Sequence, residues 1–405
     1  MYKKFIALVA IGWLSAQVVA AEDWPQWRGP ERNGASREKG WADQWPKEGP
    51  PIAWKAAVGL GFSSVVVSGG KTVTAGHANE TDTVFCFDAL TGKELWKHSY
   101  PAELGDKYYE GGTTGTATFD GERVFWLSRW GDLFCFDAGT GKIIWSRQLQ
   151  KEEEAQIPTW GFTGAPTVFR DLLILNIGEA GMALEKKTGQ TVWASAKKDA
   201  GYSAPLPLER GGKWEVLIAN SEAYLAVDPN TGKELWRMKW LTQYGVNAAD
   251  PVPVGDRIFI SSGYGKGAAL FKPASAGEPQ VIWKSKVLRT QLNPPVLVGK
   301  YLYGADGDTT EKAPLKCVEA ETGTEKWKVP GFGSGALSVA DGKLIALSAT
   351  GELIVAPASP DAFKPTARAQ VLGGKCWTVP VLANGLVYCR NSRGDIVAVD
   401  LRKKS

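Results

Sequence analysis

The sequence predicts an all-β fold, an eight-bladed β-propeller of four-stranded antiparallel blades that is closed by an N-terminal strand. Two observations predict the blades: a motif recurs along most of the chain, and no long segment shows the 3.6-residue hydrophobic period of a helix. A third observation, an unmatched strand before the first repeat, indicates how the ring closes.

The recurring motif consists of an acidic residue, two variable residues, Thr-Gly, three further residues and Trp. The acidic side chain can accept backbone N–H groups two or three residues on, and Gly permits the positive φ of a tight turn. A Trp at the end of the next strand fills space between neighbouring sheets. A period in the forties is typical of a propeller with one blade per repeat. Complete copies end at Trp96, Trp145, Trp193, Trp236 and Trp327, and a degenerate copy ends at Trp283.

Eight units follow from the repeats, and the last one stops without a Trp strand. The segment Ile52 to Val58 precedes the first unit and carries an unassigned Trp54, so we expect it to complete the last blade and remove an open sheet edge. Seven blades are the alternative if the seventh unit, which lacks the Trp, is an insertion. The predicted units are 61–100, 112–150, 160–197, 201–240, 247–286, 290–330, 331–372 and 373–405.

Two segments precede the propeller domain, which we assign to residues 52–405. Residues 1–21 have a basic start, an apolar run and small residues suited to cleavage, which is typical of a secretory signal peptide. The apolar run is shorter than the roughly 20 residues of a membrane span, and no Cys lies near the cleavage point to carry a lipid. The mature protein is therefore expected to be periplasmic or secreted, without a membrane span.

Residues 22–51 are too irregular for a blade, and we expect them to form an N-terminal strap over one face of the disk. The alternative is an exposed arm that binds a partner. The strap contains four tryptophans that would cover inner sheet, namely Trp24, Trp27, Trp41 and Trp45.

The composition excludes several classes of function. Lys and Arg number 47 against 43 Asp and Glu, so the chain lacks the basic footprint of a nucleic-acid-binding protein. The only histidines, His77 and His98, leave little for histidine-based metal sites or proton relays, and both are expected at the surface. The five cysteines are expected to be mostly free and buried, because repeat-equivalent positions lie too far apart to bridge. A monomer is expected.

The repeats resemble those of pyrroloquinoline quinone (PQQ)-like propellers, which occur in quinoprotein alcohol dehydrogenases and in the propeller lipoprotein of the bacterial outer-membrane barrel-assembly machinery. The resemblance spans about residues 23–402 and implies the fold, whereas one propeller scaffold hosts many activities. Some segments look like those of exported bacterial members of unsettled function: Asp23-Trp-Pro-Gln-Trp-Arg-Gly-Pro30, Trp160-Gly-Phe, Gly201-Tyr-Ser, Asn247-Ala-Ala and Lys375-Cys-Trp-Thr378.

Candidate ligand-binding residues lie where the innermost strand of each blade starts beside the central channel. Trp160 or Trp377 could stack on a flat ligand such as a quinone, and Arg289 could pair with a carboxylate. The alternative is that these residues fill the channel and bond one another. The set comprises Ser63, Thr113, Trp160, Tyr202, Asn247, Arg289, Gln291, Ser334 and Trp377.

The resemblance to quinoprotein dehydrogenases would imply Ca²⁺ held by Glu and Asn, an Asp base and two adjacent cysteines. Glu179, Asn176 and Asp250 are the candidates, but no two cysteines are adjacent. We therefore assign no catalytic or metal-binding residue. The sequence favours an exported binding or scaffold protein for an unknown protein or small-molecule partner, with no nucleic acid. The alternative is a PQQ- and Ca²⁺-dependent oxidoreductase with the cofactor in the central channel.

Overall fold

The structure, a computed structural model, describes residues 22–274, 278–309 and 312–403. The described residues form eight sheets of antiparallel strands, so the predicted propeller and its blade count are confirmed and seven blades are excluded. Helix is limited there to one turn at Leu149–Glu152 and a 3₁₀ turn at Gln243–Gly245. The predicted signal peptide lies outside the described residues and stays a prediction.

Each blade runs outward from an inner strand beside the channel to an exposed outer strand. Blades 1 to 4 comprise Val66–Ser68, Lys71–Ala78, Thr81–Asp88, Glu94–Pro101; Thr118–Asp120, Arg123–Leu127, Asp132–Asp137, Ile143–Gln148; Thr167–Phe169, Leu172–Leu175, Met182–Glu185, Thr191–Ala194; and Leu206–Arg210, Lys213–Ala219, Ala223–Val227, Glu234–Lys239. Blades 5 to 8 comprise Val252–Val254, Arg257–Ser262, Gly267–Lys272, Gln280–Ser285; Val296–Val298, Tyr301–Ala305, Leu315–Glu319, Glu325–Val329; Ala336–Ala340, Lys343–Leu347, Glu352–Pro357, Ala367–Gln370; and Val381–Ala383, Leu386–Arg390, Asp395–Asp400, Ile52–Ala57.

The eighth blade contains strands from both ends of the chain. Ile52–Ala57 pairs antiparallel with Asp395–Asp400, and Trp54 lies opposite Ala398 in the register. The predicted closure by the N-terminal strand is therefore confirmed. It gives the last C-terminal strand a partner on its outer side.

The motif tryptophans join neighbouring blades. The Trp96 indole N–H donates to the carbonyl of Ala138 in blade 2 at 3.0 Å, and the Trp54 indole donates to Ala89 in blade 1 at 2.8 Å. In both cases the acceptor directly follows the acidic residue of the next blade's motif. The glycine of that motif has a positive φ and faces the Trp ring, since a Cβ on Gly141 would lie 2.6 Å from the Trp96 ring. The glycine thus allows the positive φ of the turn and also leaves room for the Trp ring of the preceding blade.

Replacing Gly141 by Ala is expected to lower the free energy of unfolding by about 3 kcal/mol, because strain at positive φ adds to a clash with the Trp96 ring. Gly121 is the matched control: its φ is +58°, and a Cβ there meets nothing within 4 Å. Gly121→Ala should cost only about 1 kcal/mol, from the backbone alone. Urea unfolding of both variants measures the difference, and equal losses would show that the Trp joint does not depend on this glycine.

The joint between blades 7 and 8 is built differently. The outer strand Ala367–Gln370 of blade 7 carries no Trp, and Trp41 from the N-terminal segment packs instead among core residues of both blades. The carbonyl of Leu401, which follows the acidic Asp400, accepts the backbone N–H of Ala42 at 2.7 Å. The N-terminal segment therefore occupies the joint where the repeat lacks its own Trp.

The rest of residues 22–51 is bound to the propeller by backbone and charged groups. Trp24 exchanges two backbone hydrogen bonds of 2.8 Å with Val67 of blade 1. The buried Arg28 guanidinium donates to the carbonyls of Pro294 and Pro295 at 3.2 and 3.1 Å, and burial lowers the pKa of Arg28 to about 10. Ala35–Ser36 adds a short parallel strand to the inner strand of blade 7. Trp24 and Trp41 are buried.

The expectation that both histidines lie at the surface is wrong for His77. It lies on the second strand of blade 1, buried, with Nδ1 2.8 Å from Asp82 Oδ1. That strand extends through Ala78, so His77 is part of the sheet. His98 is half-buried against the ring of Phe134. The five cysteines are free and buried, as expected. No helix within the described ranges is long and apolar enough to cross a membrane.

Candidate functional site

The axis of the ring holds a cavity of about 700 Å³ lined by many aromatic side chains. Most come from loops that lead from the outer strand of one blade to the inner strand of the next, because only these loops run from the rim to the axis. A volume of this size falls within the usual range of small-molecule sites. The aromatic lining comprises Trp27, Phe62, Tyr108, Tyr109, Trp160, Tyr202, Tyr244, Tyr264 and Trp377.

The aromatic side chains form two groups on the wall. Phe62, before blade 1, stacks on Trp377, before blade 8, with ring centroids 5.1 Å apart and an interplanar angle of 24°. Trp160, before blade 3, contacts Tyr202 edge-on at 5.7 Å and Tyr108 at the same distance. Such contacts fix ring orientation beyond simple apolar burial. The cavity therefore has an aromatic wall of fixed orientation, in which Lys375 Nζ also lies 4.4 Å from the Trp377 ring centroid.

Tyrosines surround the mouth of the cavity. Tyr108 and Tyr244 remain 56% and 64% exposed, and the Tyr244 and Tyr264 rings meet edge to face at 5.4 Å. Tyr244 and Tyr264 have φ of +66° and +49°. This backbone conformation is uncommon for residues other than glycine, and such strain is concentrated at functional sites.

The floor is formed by Trp27 from the N-terminal segment. Its indole N–H donates to Asp250 Oδ2 at 2.6 Å, and Asp250 Oδ1 accepts the Ala204 N–H at 2.8 Å. Burial raises the pKa of Asp250, while the nearby Arg28 charge acts in the opposite direction. Both carboxylate oxygens are thus engaged in holding the floor, which differs from the free base that the sequence interpretation considered for Asp250.

The rest of the lining contains apolar residues and many neutral polar ones, and it is almost uncharged. Among the lining residues that the structure describes, Asp250 is the only carboxylate, and none is Lys, Arg or His. The cavity can therefore donate and accept hydrogen bonds but presents no cationic side chain to an anion. The neutral polar residues are Ser64, Thr114, Thr116, Thr159, Thr163, Gln291, Asn293, Thr309 and Thr378.

Four of the nine predicted site residues line the cavity, namely Trp160, Tyr202, Gln291 and Trp377. Ser63, Thr113 and Asn247 are instead buried in the wall. The Ser63 hydroxyl donates to Thr113 Oγ1 at 2.9 Å, and Asn247 Nδ2 donates to the Trp240 carbonyl at 3.0 Å. The side chains of these three residues therefore bond to the protein itself.

The two other predicted residues also lie outside the lining. The Arg289 side chain pairs with Asp306 (Nε to Oδ1 3.0 Å), and the same carboxylate binds Lys316 Nζ at 2.8 Å. Ser334 Oγ donates to the carbonyl of Asp308 at 2.8 Å. Arg289 does pair with a carboxylate, but with one of the protein itself.

Sequence reasoning missed the tyrosines at the mouth. Tyr108 and Tyr109 lie on the long connection to blade 2, and Tyr264 lies between two strands of blade 5. One sequence pattern could have predicted them: an aromatic residue beside a glycine or a charged residue in a segment without regular hydrophobic periodicity. Lys107-Tyr-Tyr-Glu110 and Gly263-Tyr-Gly265 show this pattern. Extrapolation from the starts of the inner strands could not find these residues, because they lie on other segments of the chain.

The residues present do not fit a PQQ–Ca²⁺ centre. Glu179 pairs with Arg237 at 3.2 Å and with Lys198 at 3.1 Å, Asn176 Nδ2 donates to the carbonyls of Ser203 and Ala219, and neither side chain lines the cavity. No group of three or more His, Cys, Asp or Glu side chains in the described ranges is arranged to hold a metal ion. PQQ is a tricarboxylate, and a lining without cations offers its charges no partners.

Comparisons with known proteins agree on the architecture. The family model described as outer membrane protein assembly factor BamB matches residues 80–329. BamB from Moraxella catarrhalis is similar at 16% identity, with a TM-score of 0.64 over 87% of this chain and 99% of that one. Quinohemoprotein alcohol dehydrogenase from Comamonas testosteroni is similar at 14% identity, with a TM-score of 0.68 over 95% and 81%. No curated protein matches in sequence. At these identities the solved structures support the fold alone.

Proposed function

Because the chain belongs to the propeller family described as outer membrane protein assembly factor BamB, we propose that it is an exported binding or scaffold protein without catalytic activity, whose ligand occupies the central cavity. The observation that carries this proposal is the cavity itself: oriented aromatic faces and neutral hydrogen-bonding groups surround about 700 Å³ of space. Export rests on the predicted signal peptide.

Binding is favoured over catalysis by the state of the polar groups. General acid–base chemistry needs a titratable group within reach of the substrate. The only described carboxylate in the lining, Asp250, has both oxygens engaged by Trp27 and Ala204. Burial raises the pKa of Tyr109, Tyr202 and Tyr264, so these lining hydroxyls stay protonated and donate hydrogen bonds rather than act as bases.

The second candidate is a PQQ-dependent oxidoreductase. The aromatic faces of Trp160 and Trp377, in a fold similar to that of a quinohemoprotein alcohol dehydrogenase, favour a flat cofactor on the axis. The uncharged lining counts against it, since a bound tricarboxylate would lose its water without gaining a cationic partner.

The neutral fluorescent probe N-phenyl-1-naphthylamine is expected to bind the wild-type protein saturably with 1:1 stoichiometry and to brighten as it leaves water. Trp160→Ala and Trp377→Ala should each weaken binding about tenfold, because an aromatic stacking partner is lost. Trp214→Ala is the matched control, since Trp214 lies outside the cavity and is 37% exposed. Fluorescence titration provides the dissociation constants.

Two outcomes would contradict the proposed function. If all three Trp variants bind the probe alike, the cavity is not its site. If PQQ with Ca²⁺ binds at 1:1 and supports dye-linked oxidation of an alcohol or sugar, the oxidoreductase candidate replaces the binding protein.

A further inference from the structure

We propose that the ligand of the central cavity is an uncharged carbohydrate, held by sugar rings stacked on the aromatic wall and by hydroxyl groups bonded to the neutral polar side chains. This inference rests on the proposed function, because it names the class of molecule that the same cavity binds.

The charge of the cavity disfavours the main alternatives. The described lining has no Lys, Arg or His. Lys375 and Arg129 lie near the lining rings of Trp377 and Tyr109, at 4.4 and 5.3 Å from the ring centroids. Lys375 pairs with Glu110, and Arg129 donates to backbone carbonyls, so a phosphate, sulfate or polycarboxylate would lose water in the cavity without gaining a free cationic partner.

A cationic ligand would find aromatic faces in the lining but no free carboxylate, because Asp250 is bound by Trp27 and Ala204 and lies near the charge of Arg28. The lining therefore favours a neutral ligand, and a quaternary ammonium compound is the charged competitor to test.

The polar groups favour a ligand that forms hydrogen bonds over a purely apolar one, so an apolar probe is expected to bind more weakly than the natural ligand. Nine hydroxyl and amide side chains line the cavity. Thr116, Gln291 and Thr378 are bonded in part to the protein, and a wholly apolar molecule would leave the remaining hydrogen-bonding capacity unpaired. A buried polar group without a partner is unfavourable. The favoured ligand is therefore neutral overall and yet rich in hydrogen-bonding groups.

The polar side chains retain capacity for such a ligand. The Thr163 hydroxyl donates its proton to the Tyr202 carbonyl at 2.8 Å, which leaves its oxygen to accept a bond. Asn293 uses one amide N–H on the Trp377 carbonyl at 2.7 Å, which leaves its carbonyl oxygen and second N–H. Acceptors and donors are thus both available, as a sugar hydroxyl requires.

Hydroxyl groups accompany the stacking rings along the chain. Thr159 precedes Trp160, and Thr378 follows Trp377, and all four side chains line the cavity. The amides of Gln291 and Asn293 line the wall before blade 6. A sugar ring has an apolar face of C–H groups and an edge of hydroxyl groups. The aromatic rings of the cavity suit the apolar face, and the neighbouring hydroxyl and amide side chains suit the hydroxyl edge.

A glycan array that carries neutral, uronate-containing, sulfated and amino sugars tests the class directly. We expect the labelled protein to bind neutral glycans and not to bind the charged ones. Calorimetry with the soluble form of a bound glycan should give 1:1 binding that changes less than about twofold between 0.05 and 0.5 M NaCl, since no ion pair forms. Trp160→Ala and Trp377→Ala should weaken it about tenfold, Trp160→Phe should retain most affinity, and Trp214→Ala should not differ from wild type.

The proposal is overturned if no neutral glycan binds, if charged glycans bind more tightly than neutral ones, or if choline, as a quaternary ammonium probe, binds the cavity while glycans do not. Its failure is distinguishable from that of the proposed function. A protein that binds N-phenyl-1-naphthylamine in a Trp160-dependent manner but binds no glycan keeps its ligand cavity and loses only the carbohydrate assignment.

Discussion

Replacing Trp54 by Ala lowers the free energy of unfolding by about 3–5 kcal/mol, the range for removing a large aromatic side chain from a core. The Trp54 side chain is buried, its indole N–H donates to the Ala89 carbonyl at 2.8 Å, and its ring lies 5.8 Å from that of Tyr388. The residue also anchors the strand that closes the ring. Its loss therefore removes packing, an inter-blade hydrogen bond and part of the cover over a sheet edge.

Urea unfolding followed by circular dichroism measures this effect. Trp45→Ala is the matched control, because Trp45 is only half-buried and its indole donates to the Arg368 carbonyl at the rim. We expect the control to lose no more than about 1.5 kcal/mol. If the Trp54 variant is as stable as the Trp45 variant, the closing strand does not stabilise the ring. The same conclusion would follow if a chain shortened to begin at Gly59 melts at the same temperature as the mature protein.

Replacing Arg390 by Met is expected to lower the free energy of unfolding by about 3–5 kcal/mol, because it removes a buried guanidinium that donates to several buried acceptors at once. Arg390 Nη1 donates to the Ser63 carbonyl at 2.7 Å, to Thr74 Oγ1 at 2.9 Å and to the Ala75 carbonyl at 2.6 Å. Burial lowers the pKa of Arg390 to about 9, so the guanidinium remains charged at neutral pH. A blade 8 side chain thus binds the inner edge of blade 1.

The matched control is Arg393→Met, three residues along the chain and exposed. Its stability should lie within about 0.5 kcal/mol of wild type. Arg390→Lys should recover only part of the loss, since a single ammonium cannot reproduce the planar fork of donors. If Arg390→Met and Arg393→Met unfold at the same urea concentration, the buried cation does not stabilise the seam between the two blades.

The sequence could predict those parts of the fold that local chemistry encodes. The Thr-Gly turn, the Trp joint and the blade period each follow from a few neighbouring residues, and the unmatched strand around Trp54 pointed to the closure. His77 was misplaced because nothing in Gly76-His-Ala-Asn79 shows that the strand continues past the glycine. Burial of a polar residue depends on partners such as Asp82 across the sheet, which a local pattern does not reveal.

The cavity was predictable only in outline. Projection along the inner strands found Trp160 and Trp377 because they lie on the segments that lead into those strands, which begin at Thr167 and Val381. It also selected Ser63 and Asn247, whose side chains are buried in the wall, since the direction of a side chain near a strand start depends on the exact turn. Tyr244 and the Trp27–Asp250 pair required the course of two separate segments, which only the folded ring defines.

The closure has a consequence for the order in which the chain can fold. Trp54 pairs in register with Ala398, roughly 340 residues away, and Trp41 packs between blades 7 and 8. Two of the eight joints therefore stay incomplete until the C-terminal strand has been synthesised. Contacts of such long sequence separation form slowly. The N-terminal strand therefore cannot complete its blade until the C-terminal strand is present, and an interval of incomplete folding precedes closure of the ring.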